Sequence, residues 1–129
     1  MDEEKKQKYM QFKAMQEQIE QTSQQLEVLN EQLSELELSK DALEELKKTP
    51  KDNEILASIA PGIFIKANLK DNKNLIVNVG ADVTMEKTIP QVIKMINQQK
   101  NSMEKNLAQS DMLLQVLTQQ ALELYREFE

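Results

Sequence analysis

Between Glu54 and Thr88 the hydrophobic period of this chain changes. Ile63, Ile65, Ala67 and Leu69 alternate with Phe64, Lys66 and Asn68, and Leu75, Val77 and Val79 repeat the alternation before Val83 and Met85. A period near two belongs to a β-strand. On both sides of this stretch the period is helical. Both glycines, Gly62 and Gly80, fall inside it, and Pro50 and Pro90 stand at or just outside its limits. The order is therefore helix, small sheet, helix. Two helices joined through a sheet in one chain can pair with each other only antiparallel.

The first helix is predicted over about residues 3–48. Glu3 and Glu4 suit the positive end of a helix, Lys47 and Lys48 its negative end, and Thr49-Pro50 stops it. A heptad runs through it: Phe12, Ile19, Leu26, Leu33 and Lys40 are seven apart, with Met15, Thr22, Leu29, Leu36 and Leu43 three behind each. So sustained a repeat is the mark of a coiled coil. The second helix, about residues 89–128, opens with Thr88-Ile89-Pro90-Gln91, which reads as a capping box with proline in the first turn. Its seam is Ile89, Ile93, Ile96, Lys100, Met103, Leu107, Ser110, Leu114, Leu117, Ala121, Leu124 and Phe128. In an antiparallel pair, facing residue numbers sum to a constant. A constant of 136 sets each of the first helix's ten seam residues against a seam residue of the second: Leu43 with Ile93, Leu29 with Leu107, Ile19 with Leu117, Phe12 with Leu124. Lys40, Lys100 and Thr22 are polar seam members that either fix the register or carry their polar ends out to water.

Four strands are predicted at about 54–59, 63–69, 74–79 and 82–87, separated by Ala60-Pro61-Gly62, Asp71-Asn72-Lys73 and Gly80-Ala81-Asp82. Both faces carry apolar groups, since Phe64 and Ile76 oppose the main apolar face. One helix pair cannot cover both. Open strand edges and apolar faces invite other chains, so the sheet residues Ile63, Phe64, Ile65, Leu75, Ile76, Val77, Val79 and Val83 are candidates for oligomerisation.

Of the five aromatic residues, only Phe64 lies in the sheet. The antiparallel register brings Tyr9, Phe12, Tyr125 and Phe128 together at the free ends of the helices, with Met10, Met112, Leu113, Val116 and Leu122 nearby and not required by the seam. Two readings stand: these residues zip the free end shut, or they form an adaptable apolar contact surface to which methionine is suited.

The remaining composition excludes several function classes. The chain has 129 residues, no His, no Cys and only isolated glycines, so the common nucleophiles, bases, soft metal ligands and phosphate-cradling loops are missing. No enzyme activity, metal or cofactor is expected. A net charge of −6 argues against nucleic-acid partners. The sequence holds no apolar run of membrane-spanning length, and MDEEKKQKYMQ has no apolar core of a secretory signal, so a cytoplasmic location is expected.

The run GIFIKANLKDNKNLIVNVGADVTMEKT, Gly62 to Thr88, resembles the core of an α-class prefoldin subunit, through FIKA, the Leu69–Asp71 approach to the turn and the VNVGA…EKT segment. The resemblance covers essentially the whole chain. It implies one prefoldin-like domain over residues 1–129, α+β but mostly α: a long antiparallel two-helix coiled coil with two β-hairpins inserted between the helices. It implies a hexamer of two α-type and four β-type subunits, built through its sheets. It further implies an ATP-independent holdase that captures unfolded proteins with its coiled-coil tips and delivers them to a group II chaperonin. The matching tip positions are Tyr9, Phe12, Met15, Leu122, Leu124, Tyr125 and Phe128. The alternative from another class is an oligomeric coiled-coil scaffold or filament subunit that binds no clients.

Overall fold

In a computed structural model, which describes residues 2–128 with the side chain of Phe128 excepted, the elements run α1 (Glu3–Lys48), β1 (Glu54–Ala60), β2 (Ile63–Asn68), β3 (Asn74–Gly80), β4 (Val83–Thr88) and α2 (Ile89–Phe128). Asp2 caps α1: its Oδ1 accepts from the Lys5 amide at 2.8 Å, and its carbonyl accepts from the Lys6 amide. This satisfies a first-turn donor that has no partner within the helix. At the other end the Thr49 hydroxyl donates to the Glu45 carbonyl at 2.9 Å. The expected capping box opens α2. The Thr88 amide donates to Gln91 Oε1 at 3.0 Å and the Gln91 amide donates to Thr88 Oγ1 at 3.3 Å.

The chain divides into two compact units, one comprising the residues up to Glu35 together with those from Lys100 on, the other Leu36–Gln99. The first holds the beginning of α1 against the end of α2. Burial there follows the heptads: Thr22, Leu117 and Ala121 are buried, and Phe12, Met15, Ile19, Leu26, Leu29, Leu33, Met103, Leu107, Leu114 and Leu124 are half-buried. Most neighbouring positions are exposed. Lys8 Nζ lies 3.2 Å from Glu127 Oε2, and the rings of Phe12 and Tyr125 are 5.6 Å apart. The numbers of these two pairs bracket 136, the register read from the heptads alone.

The second unit holds the strands. They form two separate two-stranded antiparallel sheets, β1–β2 and β3–β4, rather than one four-stranded sheet. A shift of twenty residues superimposes one hairpin's pairing on the other's. Glu54↔Asn68 becomes Asn74↔Thr88, Leu56↔Lys66 becomes Ile76↔Glu86, and the bulge after Ser58 becomes the bulge after Asn78. Each hairpin ends on a buried aliphatic, Leu69 in the first and Ile89 in the second. Ile89 is the best-buried large side chain described, at 1% exposure.

The tips differ. In the first, Pro61 precedes Gly62 at φ +77°, the pattern of a type II turn; in the second, Ala81 and Asp82 take φ +49° and +60°, the pattern of type I′. Asn78 supports the second tip by accepting from the Gly80 amide at 2.9 Å. Between the hairpins, Asp71 accepts from the Lys73 and Asn74 amides at 2.8 and 3.1 Å and from Asn74 Nδ2 at 3.1 Å. Asn72 Nδ2 donates to the Thr49 carbonyl at 3.0 Å, tying this turn to the exit of α1.

Candidate functional site

Two kinds of surface stand out among the described residues, one where the helix ends meet and one on the hairpins.

At the helix ends the Phe12 and Tyr125 rings pack at 5.6 Å and 40°, a tilted aromatic contact across the two helices. Lys8 bridges Glu127 at 3.2 Å and approaches Glu4 at 3.9 Å. Lys13 sets its ammonium 5.2 Å from the Tyr9 ring centroid. A shallow apolar groove of about 660 Å³ runs alongside, with Phe12, Ile19, Ala121, Leu122 and Tyr125 in its lining. The heptads explain this arrangement. Phe12, Met15 and Leu124 are seam positions and lie half-buried, whereas Tyr9, Leu122 and Tyr125 sit off the seam and remain exposed. The expected convergence holds for Phe12 and Tyr125. The side chain of Phe128 lies outside the described residues. Off the seam on α2, Met112, Leu113 and Val116 form a second exposed apolar strip, and Met10 is exposed on α1. Spacings of three and four put these α2 residues on one side of the helix.

On the hairpins, alternation divides the faces. Ile55, Ala57 and Ala67, and likewise Leu75, Val77 and Lys87, are half-buried; Leu56, Phe64 and Ile76 are exposed on the opposite faces. Among the candidate oligomerisation residues, Ile63, Phe64, Ile65, Ile76, Val79 and Val83 are exposed, and Leu75 and Val77 are half-buried. Leu56 and Ile59 of β1 are also exposed and were not singled out in the sequence, where the reading of β1 stopped at its extent. The signal was available: Leu56 lies one residue off the half-buried Ile55 and Ala57, so alternation puts it on the open face.

The Asp71 carboxyl is held below its ordinary value, first by the Lys73 amide, then by the Asn74 amide and side chain, all of which favour the charged form. Among the described residues no group of three or more acidic side chains is placed to hold a metal ion. No helix searched among them is long and apolar enough to cross a membrane.

Paired heptad helices with two small hairpins between them define a coiled-coil protein whose hairpins carry exposed apolar side chains. Comparison with known proteins gives the family. A family model described as Prefoldin subunit matches residues 15–129. The chain is 34% identical over 105 residues to prefoldin subunit alpha of Methanococcus aeolicus, covering 81% of this chain and 71% of that protein. It is 36% identical over 84 residues to prefoldin subunit alpha 1 of Thermococcus kodakarensis, covering 65% and 58%. The chain spans between 55% and 60% of the length of several prefoldin alpha relatives. A filamentous PFD from Methanocaldococcus jannaschii, solved by cryo-electron microscopy, has the same fold: TM-score 0.78 at 17% identity, covering 89% of this chain and 95% of that one. The chain belongs to the prefoldin family, as an alpha-class subunit.

Proposed function

We propose that the chain is a subunit of an ATP-independent chaperone that holds unfolded proteins at the ends of its helices. It assembles through its hairpins with single-hairpin β-type subunits, two α with four β, works in the cytoplasm, and passes its clients to a group II chaperonin. The observation that carries this reading is the set of exposed apolar side chains at the helix ends that hold the Phe12–Tyr125 contact: Tyr9, Leu122 and Tyr125. A two-helix end has no interior to hide them. Met15 and Leu124, implied with them by the resemblance, belong to the seam and are half-buried beside that surface, and Phe128 joins them on the resemblance alone. An unfolded chain offers scattered apolar segments and no fixed shape. Weak apolar contacts repeated at several helix ends of one particle suit such a target, because each further contact is intramolecular once the first has formed. Ile63, Phe64, Ile65, Leu75, Ile76, Val77, Val79 and Val83 serve assembly in this reading, because one chain leaves most of them open.

The test is suppression of aggregation of a chemically denatured enzyme diluted into buffer without nucleotide, using this chain assembled with a β-type partner. Suppression at stoichiometric particle concentration is expected. A confirmed hexamer that leaves aggregation unchanged would instead mark a scaffold subunit.

A further inference from the structure

The methionines of the helix-end unit fall into two groups. Met15 and Met103 stand in the seam and are half-buried. Met10 and Met112 are 63% and 67% exposed, more than any other methionine described. Each comes two residues before a seam residue, Phe12 and Leu114. At about 3.6 residues per turn, that offset puts the side chain almost opposite the seam. Packing of one helix on the other therefore does not call for either thioether. Met112 shares its side of α2 with Leu113 and Val116, both exposed, and Met10 follows the exposed Tyr9. The chain has no cysteine, so these thioethers are its most open sulfur among the described residues.

We propose that Met10 and Met112 are sites of oxidation by a peroxide, and that their conversion to sulfoxide weakens client holding while leaving the helix pair intact. The thioether sulfur attacks one peroxide oxygen. The O–O bond breaks as an S–O bond forms, and with hydrogen peroxide the second oxygen leaves as water. Sulfur gives up two electrons and the peroxide takes them. Access sets the order, so the open thioethers react before Met15 and Met103, which the facing helix partly covers. The product is polar where the side chain was apolar and adaptable. In the seam a sulfoxide would have to be packed between the helices. At Met10 and Met112 it stays in water, and only the outer surface changes. The effect on clients rests on the exposed apolar side chains of this unit being the holding surface. It extends that surface from Tyr9, Leu122 and Tyr125 to the side of α2 that carries Met112, Leu113 and Val116.

The test treats the particle assembled with a β-type partner with graded hydrogen peroxide, removes the peroxide, and then adds a denatured enzyme. Peptide mass spectrometry should find one oxygen gained at Met10 and at Met112 before Met15 and Met103 gain any. At that point helix content by circular dichroism and particle size by native mass spectrometry should be unchanged, and suppression of aggregation should have fallen severalfold. Peroxide should leave the holding by a Met10→Leu, Met112→Leu variant at that variant's own untreated value. A thiol-dependent methionine sulfoxide reductase, which removes the oxygen as water while two thiols become a disulfide, should restore holding to the treated wild type. Oxidation of Met15 and Met103 as early as Met10 and Met112 overturns the assignment of the sites. Loss of holding that the double variant shares, or that the reductase does not reverse, overturns the link to clients. So does full holding by a particle oxidised at both sites. In that last case, replacing Tyr9, Leu122 and Tyr125 by serine separates two failures. If that variant loses holding, the helix ends hold clients without the two methionines. If it holds fully as well, the helix ends are not the holding surface.

Discussion

Leu69 and Ile89 occupy one and the same place in two successive copies of a 20-residue unit. The Leu69 amide donates to the Asn53 carbonyl at 2.9 Å and the Ile89 amide to the Lys73 carbonyl at 3.0 Å, each closing its hairpin at the open end. Their side chains are the best-buried aliphatics of the hairpin unit, at 8% and 1% exposure. Truncating either removes one of the few enclosed side chains of the hairpin unit. Leu69→Ala and Ile89→Ala are each expected to destabilise the chain by about 2–5 kcal/mol, with Ile89→Ala the costlier because its side chain is more completely enclosed. Urea unfolding followed by circular dichroism measures both.

Ala81 holds a left-handed backbone, φ +49°, at the tip of the second hairpin. A Cβ in that region costs roughly 1–2 kcal/mol, and glycine avoids the cost at the expense of a more flexible unfolded chain. Ala81→Gly should therefore stabilise by up to about 1 kcal/mol. Gly80→Ala should do the reverse: φ is +118° there, and the strain is in the backbone, since an added Cβ meets nothing within 4 Å. Thermal midpoints of the two variants are expected on opposite sides of wild type.

Thr88 and Gln91 satisfy each other's amides at the start of α2. Thr88→Ala and Gln91→Ala are each expected to cost about 0.5–2 kcal/mol. The double variant should cost less than the two combined, because either change alone already breaks the reciprocal pair. A double-mutant cycle in urea reads the coupling.

Asp71 ties the turn between the hairpins by accepting from two amides. Its pKa in the folded chain is lowered from 3.8, so the turn's contribution to stability is complete above that ordinary value. It is lost as pH falls through the lowered value. Carboxyl chemical shifts from NMR should give a midpoint below 3.8. Amide exchange at Lys73 and Asn74 should gain an acid-dependent component through the same range, and Asp71→Ala should abolish it.

The helices were legible because a heptad constrains many residues at once. Lys8–Glu127 and Phe12–Tyr125 lie beside the register deduced from Phe12, Ile19, Leu26 and their counterparts. The strands were legible by alternation, and their ends moved by one residue where turn geometry decides: Ala60 and Gly80 extend β1 and β3 past the bulges. The hairpin duplication was not legible by eye. From Glu54–Leu69 to Asn74–Ile89 no position keeps the same residue, and what persists is aliphatic character at Ile55/Leu75, Leu56/Ile76, Ala57/Val77, Ile59/Val79, Ile63/Val83 and Leu69/Ile89. Backbone pairing needs only that pattern, so the copies can diverge freely in side chain, as Lys66 and Glu86 have done. Exposure at the helix ends was partly legible. The heptad separates Tyr9 and Leu122 from Met15 and Leu124, but it does not say which off-seam residues a partner contacts.

The most direct measurement is client holding by the assembled particle after Tyr9, Leu122 and Tyr125 are replaced together by serine. All three are exposed and off the seam. Helix content and assembly size, read by circular dichroism and native mass spectrometry, should stay at wild-type values. Suppression of aggregation of a denatured enzyme should fall severalfold. Undiminished suppression by a particle of unchanged size would contradict the assignment of client contact to the helix ends.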